Sequence, residues 1–159
     1  MPRLSPELEI WRGLLRGQRS MLLRLVATLK READLTTAQY EALLSLREAG
    51  GALGAADLSH LLLYSSGSTT HLVARLEERG LVVRTRGDVD ARQVRIALTD
   101  AGVALIEKAT AAHTADIEAQ FAPLIHDEER DALLASPRRL AAAEGVTSQP
   151  ADAVPGRPR

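Results

Sequence analysis

Cysteine is absent from the 159 residues, and aromatic side chains make up only 3% of them. Without thiols, these residues form no disulfide, bind no metal through sulfur and sense no oxidant by thiol chemistry. The scarcity of aromatics leaves a core of leucine, alanine and other aliphatic side chains, which favours helices. A chain of this length is expected to fold as one domain with a sizeable core.

The sequence also lacks an apolar run of the ~20 residues that a membrane helix needs, and the initial MPRLSPELEIW contains no apolar signal-peptide core. We therefore expect a cytoplasmic protein without membrane contact. The formal net charge is −1, but the charges are unevenly distributed. The segment from Met1 to Arg31 contains seven basic and two acidic residues, whereas the segment from Asp116 to Asp131 contains six acidic residues and one basic residue. Such asymmetry bears on the choice of partner, although two solvated helix faces would also produce it.

Helical periodicity dominates the N-terminal part of the chain. After Ser5 and Pro6, apolar residues recur at three- and four-residue steps, which predicts a long amphipathic helix. A second apolar line widens its stripe enough for two packing neighbours, one of which could belong to another subunit. Thr36 and Gln39 then form a capping-box pattern that opens a second helix, which ends at Gly50 and Gly51.

A helix-turn-helix pattern follows. Two short helices are predicted over residues 55–62 and 66–79, joined by a tight polar turn, with Ser65 as the N-cap of the second and Gly80 as its stop. The hydrophobic period then changes from 3.6 to 2 in LVVRTR and QVRIALT, with GDVDA between them. This predicts a β-hairpin that packs on the helices by one face and carries arginines on the other face and at its tip, as in a winged helix.

The C-terminal part is predicted to be helical and then irregular. Thr99 and Asp100 cap a helix that runs from about residue 101 to residue 120, and Pro123 interrupts the chain. A last helix is expected over residues 127–143, with Pro137 as a kink or break. The final GVTSQPADAVPGRPR holds three of the seven prolines and predicts a disordered tail.

Between residues 65 and 105, the stretch SSGSTTHLVARLEERGLVVRTRGDVDARQVRIALTDAGVAL resembles the MarR family of transcriptional regulators. The likeness lies in RLEERGLVVR, in the wing signature Asp90-x-Arg92 and in the hairpin exit LTDAG, and more loosely in LTTAQYEALLSL at residues 35–46. In the turn where the family often has glycine, this chain has Leu63 and Tyr64. The likeness spans roughly residues 8 to 143.

The resemblance implies a mainly α fold with a small antiparallel β wing. A single domain would cover residues 1–143, with a winged helix-turn-helix lobe at 35–100, dimerisation helices at 7–32 and 101–143, and a disordered Pro/Gly-rich tail at 144–159. Family members are homodimers that bind palindromic operators, and many release DNA when a phenolic or other aromatic ligand binds between the dimer and DNA-binding lobes. The implied function is a DNA-binding regulator, a repressor, without a cofactor.

The DNA contacts are expected from the second short helix and from the wing, because a recognition helix presents its N-terminal residues to base edges. Arg92 would enter the minor groove with Asp90 as its orienter, and the strand arginines would reach phosphates. A solvated surface for Thr70 and a scaffold ion pair for Arg75 are the alternatives. The candidates are Ser66, Ser68, Thr70, His71, Arg75, Arg84, Arg86, Asp90, Arg92 and Arg95.

Two further groups of residues are assigned by the expected architecture. Dimer contacts are predicted for Leu8, Trp11, Leu15, Ile117, Phe121, Leu124 and Leu133, with an intrachain core as the alternative. A ligand pocket near the junction of these helices with the DNA-binding lobe would draw on residues that are more often simple packing residues, namely Trp11, Met21, Arg24, Tyr40, His60 and His113.

Two other functions compete with that of a DNA-binding regulator. An enzyme or metal site would have to use His113 with Asp116, or His126 with the acidic residues 127–129, but no further ligand or nucleophile motif has a matching spacing. The alternative is a winged-helix scaffold for protein interactions, which would dimerise and bind no DNA. The exposed wing arginines argue against that scaffold.

Overall fold

The computed structural model describes residues 5–86 and 94–143. The predicted tail and two of the wing candidates, Asp90 and Arg92, lie outside these residues. The chain order is α1 (Pro6–Ala33), α2 (Thr37–Glu48), β1 (Ala52–Gly54), α3 (Ala55–Leu61), α4 (Ser66–Glu78), β2 (Val82–Arg86), β3 (Val94–Leu98), α5 (Asp100–Gln120) and α6 (Arg130–Ala143), with short 3-10 turns at Ala122–Leu124 and Asp127–Glu129.

The predicted helix starts are confirmed by their caps. The Ser5 hydroxyl accepts from the Leu8 amide at 3.3 Å, which satisfies one free donor in the first turn of α1. At α2, the Thr36 hydroxyl accepts from the Gln39 amide and the Gln39 side chain accepts from the Thr36 amide, so the capping box is complete. These short-range patterns therefore located the helix boundaries correctly.

The last helix differs from its prediction at two places. It begins at Arg130, after the 3-10 turn, and it runs through Pro137 without a break. A proline inside a helix removes one backbone hydrogen bond and strains the preceding turn, but the rest of the ladder can still hold the helix together. Of the predicted kink or break at Pro137, the break is therefore wrong.

The wing belongs to a sheet of three strands in the order β1-β3-β2, all antiparallel. The strand β1 was not predicted, because three residues are too few to show a period. It pairs with β3, with Leu53 opposite Ile96, and so joins the wing directly to the start of α3.

The face of β2 that packs on the helices also differs from the prediction. Val82 is 1% exposed and Val83 is 42% exposed. Arg84 stands opposite Ile96, which is 2% exposed, so Arg84 shares the packed face. The expectation that all wing arginines lie away from the helices is wrong for Arg84. Alternation defines two faces but not which one is covered, and here both carry a valine.

One hydrophobic core lies in the middle of the chain. It is built from the last turns of α1 and from α2, α3, α4, the sheet and the first half of α5, with fully buried side chains that include Leu29, Leu43, Leu58, Leu76 and Ile106. The first four turns of α1 and all of α6 remain outside it. No helix among the described residues is both long and apolar enough to cross a membrane.

Candidate nucleic-acid interface

The helix α4 separates a packing side from an exposed polar side. Leu72, Val73 and Leu76 are buried, together with Thr69. The five residues that the sequence predicted to contact DNA from this helix are all exposed: Ser66, Ser68, Thr70, His71 and Arg75. Ser65 caps α4 by accepting from the Ser68 amide at 3.2 Å. The structure therefore brings these candidates together on one exposed surface.

The hydroxyl groups of this surface are partly engaged within the helix. Thr70 donates to the carbonyl of Ser66 at 2.8 Å, and the Ser65 and Ser68 hydroxyls lie 2.9 Å apart. A hydroxyl that donates its single proton internally keeps lone pairs that accept from a partner. Thr70 can thus offer an acceptor and a methyl group to a ligand while its own rotamer is held.

The turn between α3 and α4 forms a Schellman motif. The Leu63 amide donates to the His60 carbonyl at 3.1 Å and the Tyr64 amide donates to the Ser59 carbonyl at 3.0 Å. Leu63 occupies the left-handed position of this motif with φ 54°, where glycine is the usual residue. Its side chain is 75% exposed, so packing does not compensate for the backbone conformation.

Arg84 ties the wing to the recognition helix. Its guanidinium lies 3.1 Å from the Glu77 carboxylate and donates to the Thr70 carbonyl at 3.2 Å, and its amide donates to Glu77 at 3.2 Å. Arg95 projects on the opposite face of the sheet and donates to the Ala52 carbonyl at 3.5 Å. Arg86 ends β2. The strand arginines therefore do not form a single basic face.

The base of the wing is fastened to α5. The Thr99 hydroxyl donates to the Gly80 carbonyl at 2.7 Å and accepts from the Gly102 amide at 3.0 Å, and the Thr99 amide donates to the Leu81 carbonyl at 3.1 Å. A Cβ on Gly102 would stand 2.0 Å from the Leu81 carbonyl oxygen. The LTDAG segment thus combines a helix cap with a close backbone approach that requires glycine.

A model of the MarR family matches residues 33–93, which run from the end of α1 into the wing. The transcriptional regulator FarR of Neisseria gonorrhoeae is 32% identical over 108 residues, which cover 68% of this chain and 73% of that protein. The chain belongs to the MarR family. Proteins of this family are transcriptional regulators and not enzymes.

Other proteins resemble part of the chain or share its fold. The organic hydroperoxide resistance regulator of Bacillus subtilis is 40% identical over 76 residues, 48% of this chain, and the chain spans 51% of that protein's length. The MarR regulator AbsC of Streptomyces coelicolor superposes with a TM-score of 0.82 at 25% identity, covering 92% of this chain and 99% of AbsC. Sco3205 of the same organism, solved with DNA, gives 0.79 at 24% identity, covering 97% and 98%, and shares the fold.

Three of the predicted ligand residues, Met21, Arg24 and His113, line one cavity between α1 and α5 with a volume of about 290 Å³. Tyr40 does not line this cavity, but its ring packs edge-on against that of His113 with centroids 5.9 Å apart. Trp11 and His60 lie elsewhere on the chain, on α1 and α3, and do not line this cavity. Sequence reasoning missed most other lining residues, which include Gly17, Ser20, Leu25, Asp116 and Gln120.

The polar groups of this cavity are not equally engaged. Arg24 donates to Gln120 at 2.7 Å, and the buried Thr28 hydroxyl donates to Asp116. Burial lowers the pKa of His113, and nearby Asp116 opposes that effect. Within the described part of the chain, the buried Nδ1 of His113 has no hydrogen-bond partner. No group of three potential ligands among the described residues is placed to hold a metal ion.

The predicted dimer residues are all exposed in the single chain. Trp11 is 53% exposed and Leu124 is 71% exposed. The other five are exposed as well: Leu8, Leu15, Ile117, Phe121 and Leu133. They lie on α1, at the end of α5, in the following 3-10 turn and on α6. Leu134 and Leu140 of α6 are exposed as well, although the sequence analysis did not single them out.

Proposed function

We propose that this MarR-family regulator is a repressor that binds a palindromic operator as a homodimer and is released by a small apolar ligand. One observation carries the DNA-reading part of this proposal. The helix α4 exposes hydroxyl, imidazole and guanidinium groups on one side and buries leucine and valine on the other. Such a helix can enter the major groove while it stays anchored in the core. Because the target is DNA of the cell, we propose that the protein acts in the cytoplasm.

We assign the base contacts to the exposed side of α4. Thr70 would accept from a base and pack its methyl group on a thymine, and His71 or Arg75 would bind a guanine edge. Ser66 and Ser68 lie near the helix N-terminus, where hydroxyls and amides suit a phosphate. Together these residues would set the register of the helix in the groove.

The wing would add contacts beside the major groove. Arg84 already holds Glu77, so we propose that its remaining N–H groups meet a phosphate, as would those of Arg86 and Arg95. The sequence proposal that Arg92 enters the minor groove, with Asp90 fixing its rotamer, stands as part of this interface.

We propose that the homodimer forms through the helices at residues 7–32 and 101–143, flanking a DNA-binding lobe at residues 35–100. Its support is the exposure of large apolar side chains on α1 and α6, which a monomer would leave in water. A second copy of the chain, related by a twofold axis, would cover them and place two recognition helices on one side of the dimer. Half-sites would then be centred about 10 bp apart.

Substitution of Leu15 by glutamate tests the dimer. A carboxylate in an apolar interface is costly, so Leu15→Glu should sediment as a monomer where the parent chain sediments as a dimer. Arg16→Glu is the matched control, because residue 16 lies about 100° around the helix from residue 15, away from the apolar stripe. Trp11, the single tryptophan, gives a fluorescence signal of the same dissociation. A monomeric parent chain would refute the proposal.

We propose the cavity between α1 and α5 as the effector site. Met21, Ile117 and Phe121 provide an apolar lining, and the His113 ring forms part of the same wall. The organohalide-sensing regulator RdhR, which shares the fold at 22% identity, was solved with 2,4-dichlorophenol bound. A ligand acts here only if it binds one arrangement of the lobes better than the other. Because the 159 residues contain no cysteine, oxidation of a thiol among them cannot cause release from DNA.

The first experiment is a DNA titration. Purified protein is titrated with DNA from upstream of its own gene at two salt concentrations, against an unrelated competitor duplex, with Arg92→Ala in parallel. About 6 to 10 phosphate contacts per dimer should weaken binding by on the order of a thousandfold or more between 50 and 200 mM salt. Adding 2,4-dichlorophenol to the complex then probes ligand release.

Competitor-resistant binding that Arg92→Ala weakens would support a sequence-specific regulator. If the parent protein and Arg92→Ala behave alike on every duplex, the wing is not a reading device. A dimer that binds no DNA even at low salt would favour the scaffold function instead.

A further inference from the structure

Arg79 joins the end of the recognition helix to the end of α1. It is the C-cap of α4, and its guanidinium donates to the carbonyl of Asp34 at 2.9 Å, to the carbonyl of Ala33 at 3.4 Å and to the Gln39 side chain at 3.4 Å. These three acceptors belong to the last residues of α1 and to the first turn of α2. A single side chain thus links the end of α4 to the junction between α1 and α2, about 40 residues earlier in the chain.

The site at the end of α1 suits a guanidinium for two physical reasons. The last carbonyls of a helix have no partner within it and carry the negative end of the helix dipole. Arginine is always charged and presents a planar fork of N–H donors, so it can bind two neighbouring carbonyls at once. Asp34, in the left-handed conformation at φ 51°, turns the chain there and brings its own carbonyl beside that of Ala33.

The hydrogen bonds of Arg79 are separate from the contacts that hold the other side of α4. The recognition helix is held from its other side by Arg84 of the wing, through Glu77 and the Thr70 carbonyl. Among the described residues, the hydrogen bonds that connect α4 to the end of α1 come from Arg79. Apolar contacts lack direction, so the burial of Leu72 and Leu76 does not by itself fix the angle between α4 and α1. The hydrogen bonds of Arg79 are directional and can fix that angle.

We propose that Arg79 is a positioning residue that fixes the recognition helix relative to α1 and thereby sets the separation of the two recognition helices in the dimer. The inference rests on the proposed homodimer, in which α1 forms part of the interface. If the partner protomer holds α1 in place, a small change in the angle between α1 and α4 moves the N-terminal end of α4 toward or away from α4 of the partner. The residue acts through geometry and does not contact DNA.

The absence of cysteine makes a direct distance measurement possible. Ser66→Cys places one spin label per protomer at the exposed N-terminus of α4, and Ala115→Cys places a control label on an exposed position of α5. Double electron–electron resonance on the full chain then gives the distance between the two labels of a dimer. Each label is measured in the parent background, in Arg79→Met, which keeps the aliphatic length without donors, and in Arg79→Lys.

The variant Arg31→Met is the matched control. It removes a positive charge from the last turn of α1, the helix whose end Arg79 binds. The Arg31 side chain pairs with the adjacent Glu32 and not with α4. Circular dichroism establishes that each variant is folded before its distances are compared. Arg79→Lys keeps the cation at the end of the helix and can donate to the Asp34 carbonyl, so it should lie between the parent and Arg79→Met.

We expect Arg79→Met to broaden or shift the distribution between labels at residue 66 by about 3 Å or more, the length of a lost hydrogen bond. The distribution between labels at residue 115 should stay unchanged, as should both distributions in Arg31→Met. A general loss of stability would not separate the two label positions in this way. An unchanged distribution at residue 66 in Arg79→Met would overturn the inference while leaving the dimer intact.

Two other outcomes are equally informative. If the parent chain shows no distance between protomers, the homodimer is refuted and this inference fails with it. The DNA titration supplies the second readout, since loss of one phosphate contact would lower the salt slope of log K by about 0.9. We expect Arg79→Met to weaken operator binding about tenfold or more at an unchanged slope, as for a lost charged hydrogen bond. A slope lowered by one contact would make Arg79 a DNA ligand and overturn the proposal.

Discussion

Replacing Gly102 by alanine is expected to destabilise the protein through one defined collision. The new Cβ would lie 2.0 Å from the Leu81 carbonyl oxygen, and 3.2 Å from a methyl carbon of Leu98. Backbone cannot move aside as a flexible side chain does, so the start of α5 must shift away from the wing. That shift strains the bonds of Thr99 to the Gly80 and Leu81 carbonyls, at 2.7 and 3.1 Å.

The magnitude follows from these two effects. Overpacking costs about 1–3 kcal/mol, and weakening one or two hydrogen bonds adds about 0.5–1.5 kcal/mol each, which together give about 1.5–6 kcal/mol. For a chain of this length, each kcal/mol lowers the Tm by about 2–4 °C, so we expect a fall of roughly 3–24 °C. The same shift displaces the wing from α5, and operator binding should weaken with it.

The assay is thermal unfolding followed by circular dichroism at a fixed protomer concentration, because association makes the Tm depend on concentration. Gly13→Ala is the matched control: a Cβ there meets no atom within 4 Å. Alanine is the better helix former by about 0.5–1 kcal/mol, so this variant should raise the Tm slightly. A Tm for Gly102→Ala equal to or above that of the parent chain would refute the reasoning.

Three further predictions concern local features. Leu63→Gly should raise the Tm, because glycine avoids the roughly 1–2 kcal/mol that an L-residue costs in the left-handed region, and the exposed leucine loses little packing; a lower Tm would contradict this. Thr99→Val should cost about 1–2 kcal/mol in urea unfolding through loss of the cap, whereas Thr99→Ser should retain most of the stability; equal losses in both variants would count against the hydroxyl. The pKa of His113 is lowered by burial from its ordinary 6.5, so the unfolded chain binds its proton more readily and stability should fall as the pH drops below 6.5 toward the lowered value. His113→Gln should flatten that part of the profile while His60→Gln, at an exposed site, should not, and a His113→Gln profile parallel to the parent would exclude this cause.

The helices and their ends could be predicted because the responsible interactions are short in sequence. Ser5, Thr36, Ser65 and Thr99 each cap a helix through an amide three residues later. The polar side of α4 was likewise readable from the positions of Leu72, Val73 and Leu76, since helical period fixes which residues share a face. The MarR resemblance implied a mainly α fold with a small antiparallel β wing, which the structure confirms.

Several features of the site could not be derived in this way. The strand β1 exists only because β3 lies beside it, more than forty residues later. Of the residues assigned to a ligand pocket, Met21, Arg24 and His113 meet in one cavity, while Trp11 and His60 lie elsewhere. Periodicity says which face of a helix is apolar but not which other helix lies opposite, so the set of lining residues required the packing of α1 on α5.

By itself, the sequence determined where most of the helices begin, which residues cap them and which side of α4 is polar and exposed, because each of these depends on neighbours within one or two helical turns. Its motifs between residues 65 and 105 indicated the family. Tertiary structure alone decided that Arg84 turns toward α4, that Gly102 lies against the Leu81 carbonyl and that Arg79 reaches the end of α1. Those contacts join residues 14 to 45 positions apart in the chain. Their partners are set by how whole elements pack, which no local pattern specifies.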